Sequence, residues 1–253
     1  MALELTPRDL AVLLYTWQNR IVATRHLHRA FWPGASLPTV TRRLVLLREE
    51  GYLGYRQYPW LTERVLYFAS LTGNRALAGA GLLDPANIGD YPRQPSELTP
   101  AVRHDLTVVD LRLCLEETGV DGRTWISDHQ LRLERHQQGQ SLRVPDGVFH
   151  FTLGPRSQPG LLEFENAAYR QTRVAAILTR LRVQYPDHQV LIVTKAAPRA
   201  ALFRAWAAES GVYADAPAQV AVSDLESVLV RGLDAGFLDL QGRPLTPQTA
   251  DLP

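Results

Sequence analysis

Cysteine and lysine are almost absent from this sequence, and the shortage of cysteine excludes two kinds of site. The chain has 253 residues and a single cysteine, Cys114, so neither an intramolecular disulfide nor a multi-cysteine zinc site is available. The apolar pattern around Cys114 indicates a core position in a helix. Lysine occurs once, as Lys195, beside 26 arginines, whose guanidinium groups suit bidentate contacts with phosphate and guanine.

Long apolar runs are missing as well. No segment approaches the roughly 18–20 apolar residues that a membrane span requires. The acidic Glu4 and Asp9 stand where a secretory leader would be basic and then apolar. These absences predict a cytoplasmic protein with no membrane partner. Hydrophobic residues make up 45% and charged residues 21%, which is typical of a chain that folds.

Positive charge is concentrated in the N-terminal third, although the net charge of the chain is only +1. Residues 1–80 hold ten arginines and five acidic residues, which gives +5. Residues 81–253 hold 17 basic and 21 acidic residues, which gives −4. The asymmetry predicts that a polyanion binds the N-terminal part of the chain rather than the remainder.

The N-terminal third has the pattern of three helices followed by a hairpin. Thr6-Pro7 begins the first helix, Thr24 is a candidate N-cap for the second, and Ser36 is one for the third, which Gly51 ends. Two extended segments then flank a turn. We therefore predict a winged helix-turn-helix domain over residues 1–81, with helices at 8–18, 24–31 and 37–50 and strands at 52–57 and 65–71.

The stretch from Thr41 to Leu53 resembles winged-helix DNA-binding modules, because a helix, its terminating Gly51 and a strand occur in that order. The resemblance implies that the third helix lies in the major groove of double-stranded DNA and that the hairpin follows the backbone. It places Thr39, Arg42 and Arg43 at base edges or phosphates. Flanking phosphates would be contacted by Arg25, Arg29, Arg56 and Arg64. Alternatively, these arginines form a solvated helix face that contacts an acidic protein.

A linker at residues 82–98, rich in proline, glycine and aspartate, precedes a second domain at 99–240, and residues 241–253 read as a loose tail. The hydrophobic periods of this domain alternate between helix and strand. They predict the order αβββαβ and a mixed sheet flanked by helices, and hence an α/β (α+β) fold class. Helices are expected at 101–118, 169–185, 199–210 and 224–233, and strands at 124–126, 131–133, 142–151, 160–165, 189–194 and 219–222.

Three carboxylates fall on two successive strands of this domain. Asp146 follows Pro145 on one strand, and Glu163 and Glu165 lie on the next. Side chains alternate along a strand, so the two glutamates project on one face. If the strands pair as a hairpin, the three carboxylates can converge on a hard cation such as Mg²⁺ or Mn²⁺.

The order of these residues resembles the PD-(D/E)xK nuclease-like superfamily. Taken with the winged helix and His104-Asp105-Leu106, Pro145-Asp146 and Glu163-Phe164-Glu165 resemble the replication-relaxation family of plasmid and mobile-element proteins. The resemblance implies a DNA-binding protein that acts in replication, relaxation or processing of DNA and nicks it with a bound divalent metal. Asp146, Glu163 and Glu165 would be the metal ligands and catalytic residues.

The sequence departs from the nuclease pattern where that pattern has lysine, because this position is Glu165. Arg170 and Arg173 on the next helix are the candidate catalytic replacements, and Lys195 is a further one. Arginine stabilises charge but is a poor proton acceptor. The alternative is a catalytically inactive transcription or replication regulator whose α/β domain mediates dimerisation or partner binding. In it, the glutamates would be edge-strand charges paired with Arg132, Arg143 or Arg170.

Overall fold

The chain divides into two compact units, Met1–Leu113 and Cys114–Pro253. A computed structural model describes residues 3–62, 65–91, 101–139, 143–153, 156–167 and 170–245. The division falls within a helix, C-terminal to the linker expected at 82–98, so residues 101–113 belong to the first unit. No helix in the described ranges is long and apolar enough to cross a membrane.

The first unit combines helices with a three-stranded antiparallel sheet of order β1-β3-β2. A capping box at Thr6 and Asp9 begins the first helix, and Gly51, with a φ of 78°, lies just beyond the third. The elements are α1 (Pro7–Gln18), β1 (Val22–Ala23), α2 (Thr24–Phe31), α3 (Leu37–Glu49), β2 (Leu53–Gln57), β3 (Val65–Ala69), α4 (Leu71–Gly79) and the start of α5 (Val102–Glu116).

Two of the expected helix caps differ in detail. Thr24 is the first residue of α2, and Ala23 occupies its N-cap position. The Ser36 hydroxyl lies 2.9 Å from the hydroxyl of Thr39 and makes no cap hydrogen bond with the backbone. The predicted order of three helices and a hairpin is otherwise found. The assignment of this unit as a winged-helix DNA-binding module remains a prediction.

The start of α5 completes the core of the first unit. Val102 and Leu106 pack against buried residues that surround the hairpin, namely Ile21, Ala23, Tyr58, Leu66 and Phe68. The start of α5, which follows the segment expected to be a linker, therefore belongs to the first unit. Burial of its apolar side chains stabilises the hairpin.

The second unit contains a mixed six-stranded sheet of order β4-β5-β6-β7-β8-β9, flanked by helices, which confirms the predicted fold class. Strands β6, β7 and β8 are parallel, and the other neighbours pair antiparallel. The elements are β4 (Val120–Ser127), α6 (Asp128–Gln137), β5 (Gly147–Leu153), β6 (Arg156–Glu165), α7 (Gln171–Gln184), β7 (Gln189–Thr194), α8 (Ala197–Glu209), β8 (Val220–Asp224), α9 (Leu225–Arg231) and β9 (Leu238–Asp239).

The strand predicted at Leu131–Leu133 is wrong, because these residues lie in α6. Ser127 and Gln130 form a capping box that begins this helix: Gln130 N donates to Ser127 Oγ at 3.3 Å and Ser127 N donates to Gln130 Oε1 at 3.2 Å. Leucine and arginine alternate over residues 131–133, and this pattern resembles the two-residue period of a strand. The observed order therefore begins αβαββαβ.

The first residues of the expected loose tail, 241–245, are hydrogen-bonded to the end of the second unit. Asp239 Oδ1 accepts hydrogen bonds from Gln241 N and Arg243 N, each at 2.9 Å. Leu245 N donates to Phe237 O at 2.7 Å. Residues 241–245 are therefore fixed against the end of the sheet, and residues 246–253 lie outside the described ranges.

Candidate carboxylate site and nucleic-acid interface

The β5–β6 hairpin brings Asp146 next to the strand that carries the glutamates. Gly147 pairs with Leu162, and Asp146 N donates a hydrogen bond to Leu162 O at 3.0 Å. The Asp146 carboxylate in turn accepts a hydrogen bond from Phe164 N at 2.6 Å. The hairpin was expected, but this Asp146 oxygen binds the backbone of β6 between the two glutamates.

Glu163 and Glu165 are buried on one face of β6, with 1% and 2% of their surface exposed. The period of the strand puts them on the face of Leu161, which packs against Val174 and Leu178 of α7. Strand β6 lies between β5 and β7, so the glutamates are not edge-strand charges. Carboxylates buried this deeply need compensating charge or a proton.

Two arginines supply that charge. Arg143 Nη2 donates to Glu163 Oε1 at 3.0 Å and lies 3.7 Å from Glu165 Oε1. Arg180 of α7 donates to the same Glu163 oxygen at 3.1 Å. The pairing with Arg143 was one of the sequence alternatives. Arg132 instead pairs with Asp128, 2.9 Å away on its own helix.

The surroundings of Glu165 change the pKa of its carboxyl group. Burial, followed by the negative charge of Glu163, raises the pKa of Glu165 to about 7, although Arg143 and Arg173 act in the opposite direction. A carboxyl group that retains its proton near neutral pH is a weaker ligand for a metal ion, because the proton competes for the same oxygen.

The residues at this site do not fit a divalent ion in the observed arrangement. Among the described residues, no group of three or more His, Cys, Asp or Glu side chains is placed to hold a metal. A divalent ion at Glu163 would also face Arg143 and Arg180. Even two unit charges about 4 Å apart repel by about 4 kcal/mol at an effective dielectric constant of about 20. In the observed arrangement, Glu163 and Glu165 lie beside arginines, and an Asp146 oxygen is bound to the backbone of β6.

The cations proposed from the sequence to replace the motif lysine take different positions. Arg173 is near enough to Glu165 to lower its pKa. Arg170 is exposed at the N-cap of α7 and makes no ion pair among the described residues. Lys195 is exposed directly after Thr194, which pairs with Glu165 in the sheet.

The sequence interpretation missed Arg180. It lies seven residues after Arg173 on the same helix, a spacing that places both on one stripe of α7. Ile177 and Leu181 are buried beside it. An arginine inside such an apolar stripe is the signal that could have pointed to a buried acidic partner.

The second candidate surface is the exposed side of α3 in the first unit. Thr39 and Arg42 are exposed and three residues apart, so they share one face of the helix. The Arg42 side chain makes no ion pair or hydrogen bond among the described residues. Leu37 is 52% exposed and Leu46 is 39% exposed, so apolar side chains also reach the surface of this helix.

Arg43 does not share this exposed position, although the sequence interpretation placed it in the DNA-contacting set. Its Nε donates to Asp9 Oδ1 at 2.8 Å, and its Nη2 contacts Asp9 Oδ2. Asp9 is 1% exposed. Burial alone would raise the pKa of Asp9, but hydrogen bonds from Arg43 and Thr6 outweigh it and lower the pKa. No local pattern in the sequence indicates this pair, because its members are 34 residues apart.

Arg25 is also bound within the unit. Its Nη2 lies 2.5 Å from Asp110 Oδ2 of α5, and its side chain is 41% exposed. Buried His26 binds the other oxygen of Asp110 at 3.0 Å and accepts from Ala23 N at 3.1 Å. Because Nδ1 of His26 accepts a hydrogen bond, the ring carries a proton on Nε2, which donates to Asp110. Arg25 can reach a phosphate only by sharing or leaving this ion pair.

The remaining residues predicted at a functional site occupy different environments. Arg29 is exposed on α2. Arg56 is partly buried and lies over the Phe68 ring at 4.9 Å. Arg64 lies outside the described residues. His104 and Asp105 of α5 are 3.6 Å apart and belong to the first unit, whereas Asp146, Glu163 and Glu165 belong to the second.

Comparisons with known proteins provide only a distant likeness. No protein-family model matches the chain, and no curated protein matches it in sequence. The solved structure of the restriction endonuclease FokI bound to DNA is similar over 88% of this chain, at 10% identity and a TM-score of 0.29. The chain spans 43% of that protein. A likeness at this TM-score does not establish a common fold.

Proposed function

We propose that the protein binds double-stranded DNA through the exposed face of α3. The observation that carries the proposal is Arg42, an exposed cation with no partner in the described part of the first unit, on the same helix face as Thr39. An α-helix fits the major groove of DNA, where arginine binds guanine edges or phosphate oxygens. The excess of basic residues in 1–80 favours the same partner.

Exposed residues near Arg42 suit the two kinds of contact that such a helix makes. Thr39 can donate to or accept from a base edge, and Arg29 of α2 can hold a flanking phosphate. Arg43 and Arg25 have a different role, because their ion pairs with Asp9 and Asp110 fix α3 and α2 in place. In this proposal, Arg43 and Arg25 hold the helices in position, and Arg42 and Arg29 bind DNA.

For the second unit, we propose a role that does not include DNA cleavage. Glu163 is neutralised by two guanidinium groups, and an Asp146 oxygen accepts from the backbone of β6. These contacts favour the regulator over the metal-dependent nuclease. In line with the resemblance to replication-relaxation proteins, the DNA binding would serve replication or transcriptional control of a plasmid, phage or mobile element. The α/β unit would then mediate dimerisation or the binding of a protein partner.

The test is the affinity of the full chain for a labelled DNA duplex, measured by fluorescence anisotropy over a range of salt concentrations. Arg42→Ala should weaken binding about tenfold and reduce the slope of log K against log salt by about 0.9, the value of one phosphate contact. Arg75→Ala removes the same charge from an exposed position on α4 and should leave affinity unchanged. Equal affinities for wild type and Arg42→Ala would refute the assignment of α3.

The same preparations incubated with supercoiled DNA and Mg²⁺ or Mn²⁺ test the second part of the proposal. No nicking is expected from wild type. Metal-dependent nicking that disappears in Glu163→Gln would instead establish the nuclease alternative.

A further inference from the structure

Arg180 occupies a position where a helix normally presents an apolar side chain to a sheet. Its neighbours on the inner side of α7, Ile177 and Leu181, are buried against that sheet. The Arg180 side chain is 19% exposed, and its Nε has no hydrogen-bond partner among the described residues. A guanidinium this deeply placed is costly to desolvate, and its contact with Glu163 offsets that cost.

The two glutamates would need a cation even without Arg180. Both lie on one strand face and are almost completely buried. Glu163 Oε2 and Glu165 Oε1 have no hydrogen-bond partner among the described residues. Paired carboxylate oxygens with unused lone pairs are the donors that Mg²⁺ and Mn²⁺ prefer. Two different kinds of cation could therefore compensate this face of β6, a metal ion or a guanidinium group.

We propose that Arg180, through its contact with Glu163, is a built-in cation that takes the place of a divalent metal beside the two glutamates. The wild-type cluster then does not take up Mg²⁺ or Mn²⁺, and replacing Arg180 by a neutral side chain opens a divalent-ion site. This inference deepens the proposal that the second unit does not cleave DNA.

Arg143 also contacts the cluster but cannot have the same importance. Its side chain is 50% exposed, so water screens its charge at both Glu163 and Glu165. Arg180 comes from the packed helix and is only 19% exposed, so its charge is screened less. Removing Arg180 should therefore change metal affinity much more than removing Arg143.

The test is Mn²⁺ binding to the full chain, followed by loss of the free-ion electron paramagnetic resonance signal. Wild type should show no saturable binding over the concentration range used, whereas Arg180→Gln should bind one ion with an affinity at least about tenfold above the weakest that this range detects. The double variant Arg180→Gln/Glu163→Gln should lose this binding. Arg182→Gln is the matched control, because it removes an arginine from the same helix that pairs with Asp215 instead.

Two results would overturn the inference. One is saturable Mn²⁺ binding by wild type that Glu163→Gln removes. The other is an Arg180→Gln protein with wild-type circular dichroism that binds no more Mn²⁺ than Arg182→Gln. If Arg180→Gln does not fold, the test passes to Arg143→Gln, because Arg143 is half exposed and its replacement is tolerated more easily. This variant should bind about two- to threefold more Mn²⁺ than wild type at the same concentration, roughly what a screened charge contributes. No gain in bound Mn²⁺ overturns the inference. No DNA is present, so the result is separate from the test of α3.

Discussion

Asp9 and Arg43 join the first and third helices of the N-terminal unit through a buried ion pair. The Asp9 carboxylate also accepts from Thr6 N and so belongs to the capping box of α1. Arg43 Nε approaches it at 2.8 Å from α3. One carboxylate therefore both begins α1 and fixes α3, and the face that α3 presents to a partner depends on it.

Replacing Arg43 should destabilise the protein rather than simply weaken DNA binding. Arg43→Ala leaves the Asp9 charge buried without its partner, and the free energy of unfolding should fall by about 3 kcal/mol. Arg42→Ala removes the neighbouring charge from an exposed site and should change stability by less than about 0.5 kcal/mol. Urea unfolding followed by circular dichroism measures both. Similar losses in the two variants would contradict the division of roles between Arg42 and Arg43.

The Glu165 carboxyl should make stability depend on pH between about 4.5 and 7. Its pKa is raised to about 7 in the folded chain, so folding favours its protonated form. This contribution is complete below the unfolded pKa of about 4.5 and is lost as pH rises through the folded value. Glu165→Gln cannot ionise, so the variant should gain stability relative to wild type as pH increases over this window.

The measurement for Glu165 is the difference in unfolding free energy between wild type and Glu165→Gln at several pH values. Taking this difference removes the contribution of other acids, including Asp9, whose lowered pKa makes its contribution disappear as pH falls. A difference that stays constant from pH 4 to 8 would show that the pKa of Glu165 is the same in the folded and the unfolded chain.

Asp146 should matter for stability through its hydrogen bond with Phe164 N. Asp146→Ala leaves a backbone N–H of the central strand β6 without this acceptor, which should cost about 1–3 kcal/mol of unfolding free energy. Glu134→Ala removes an exposed acid from α6 and should change stability by less than about 0.5 kcal/mol. Thermal unfolding of both variants provides the comparison. A stability of Asp146→Ala equal to that of the control would mean that this bond is not formed in solution.

Much of the local structure follows from the sequence. The strand predicted at 189–194 is β7 with the same bounds, and Gly51 has the left-handed conformation expected at the end of α3. Strand alternation correctly placed Glu163 and Glu165 on one face. These features depend on caps, backbone preferences and residue periods that act within a few positions of the chain. The same local reasoning failed at Leu131, where a capping box outweighed an alternating pattern.

The sequence by itself determined most of the helices and strands, with 131–133 an exception, and which residue types could bind a cation or DNA. Only the tertiary structure decided which of those residues have partners within the chain. Asp9 meets Arg43 across 34 residues, and Arg180 meets Glu163 across a strand–helix connection. Such ion pairs depend on how helices pack against sheets and on the need to compensate buried charge, and neither is encoded in a local period. For this reason Arg42 and Arg43, neighbours in sequence, differ in their surroundings: Arg43 pairs with Asp9, and Arg42 is exposed.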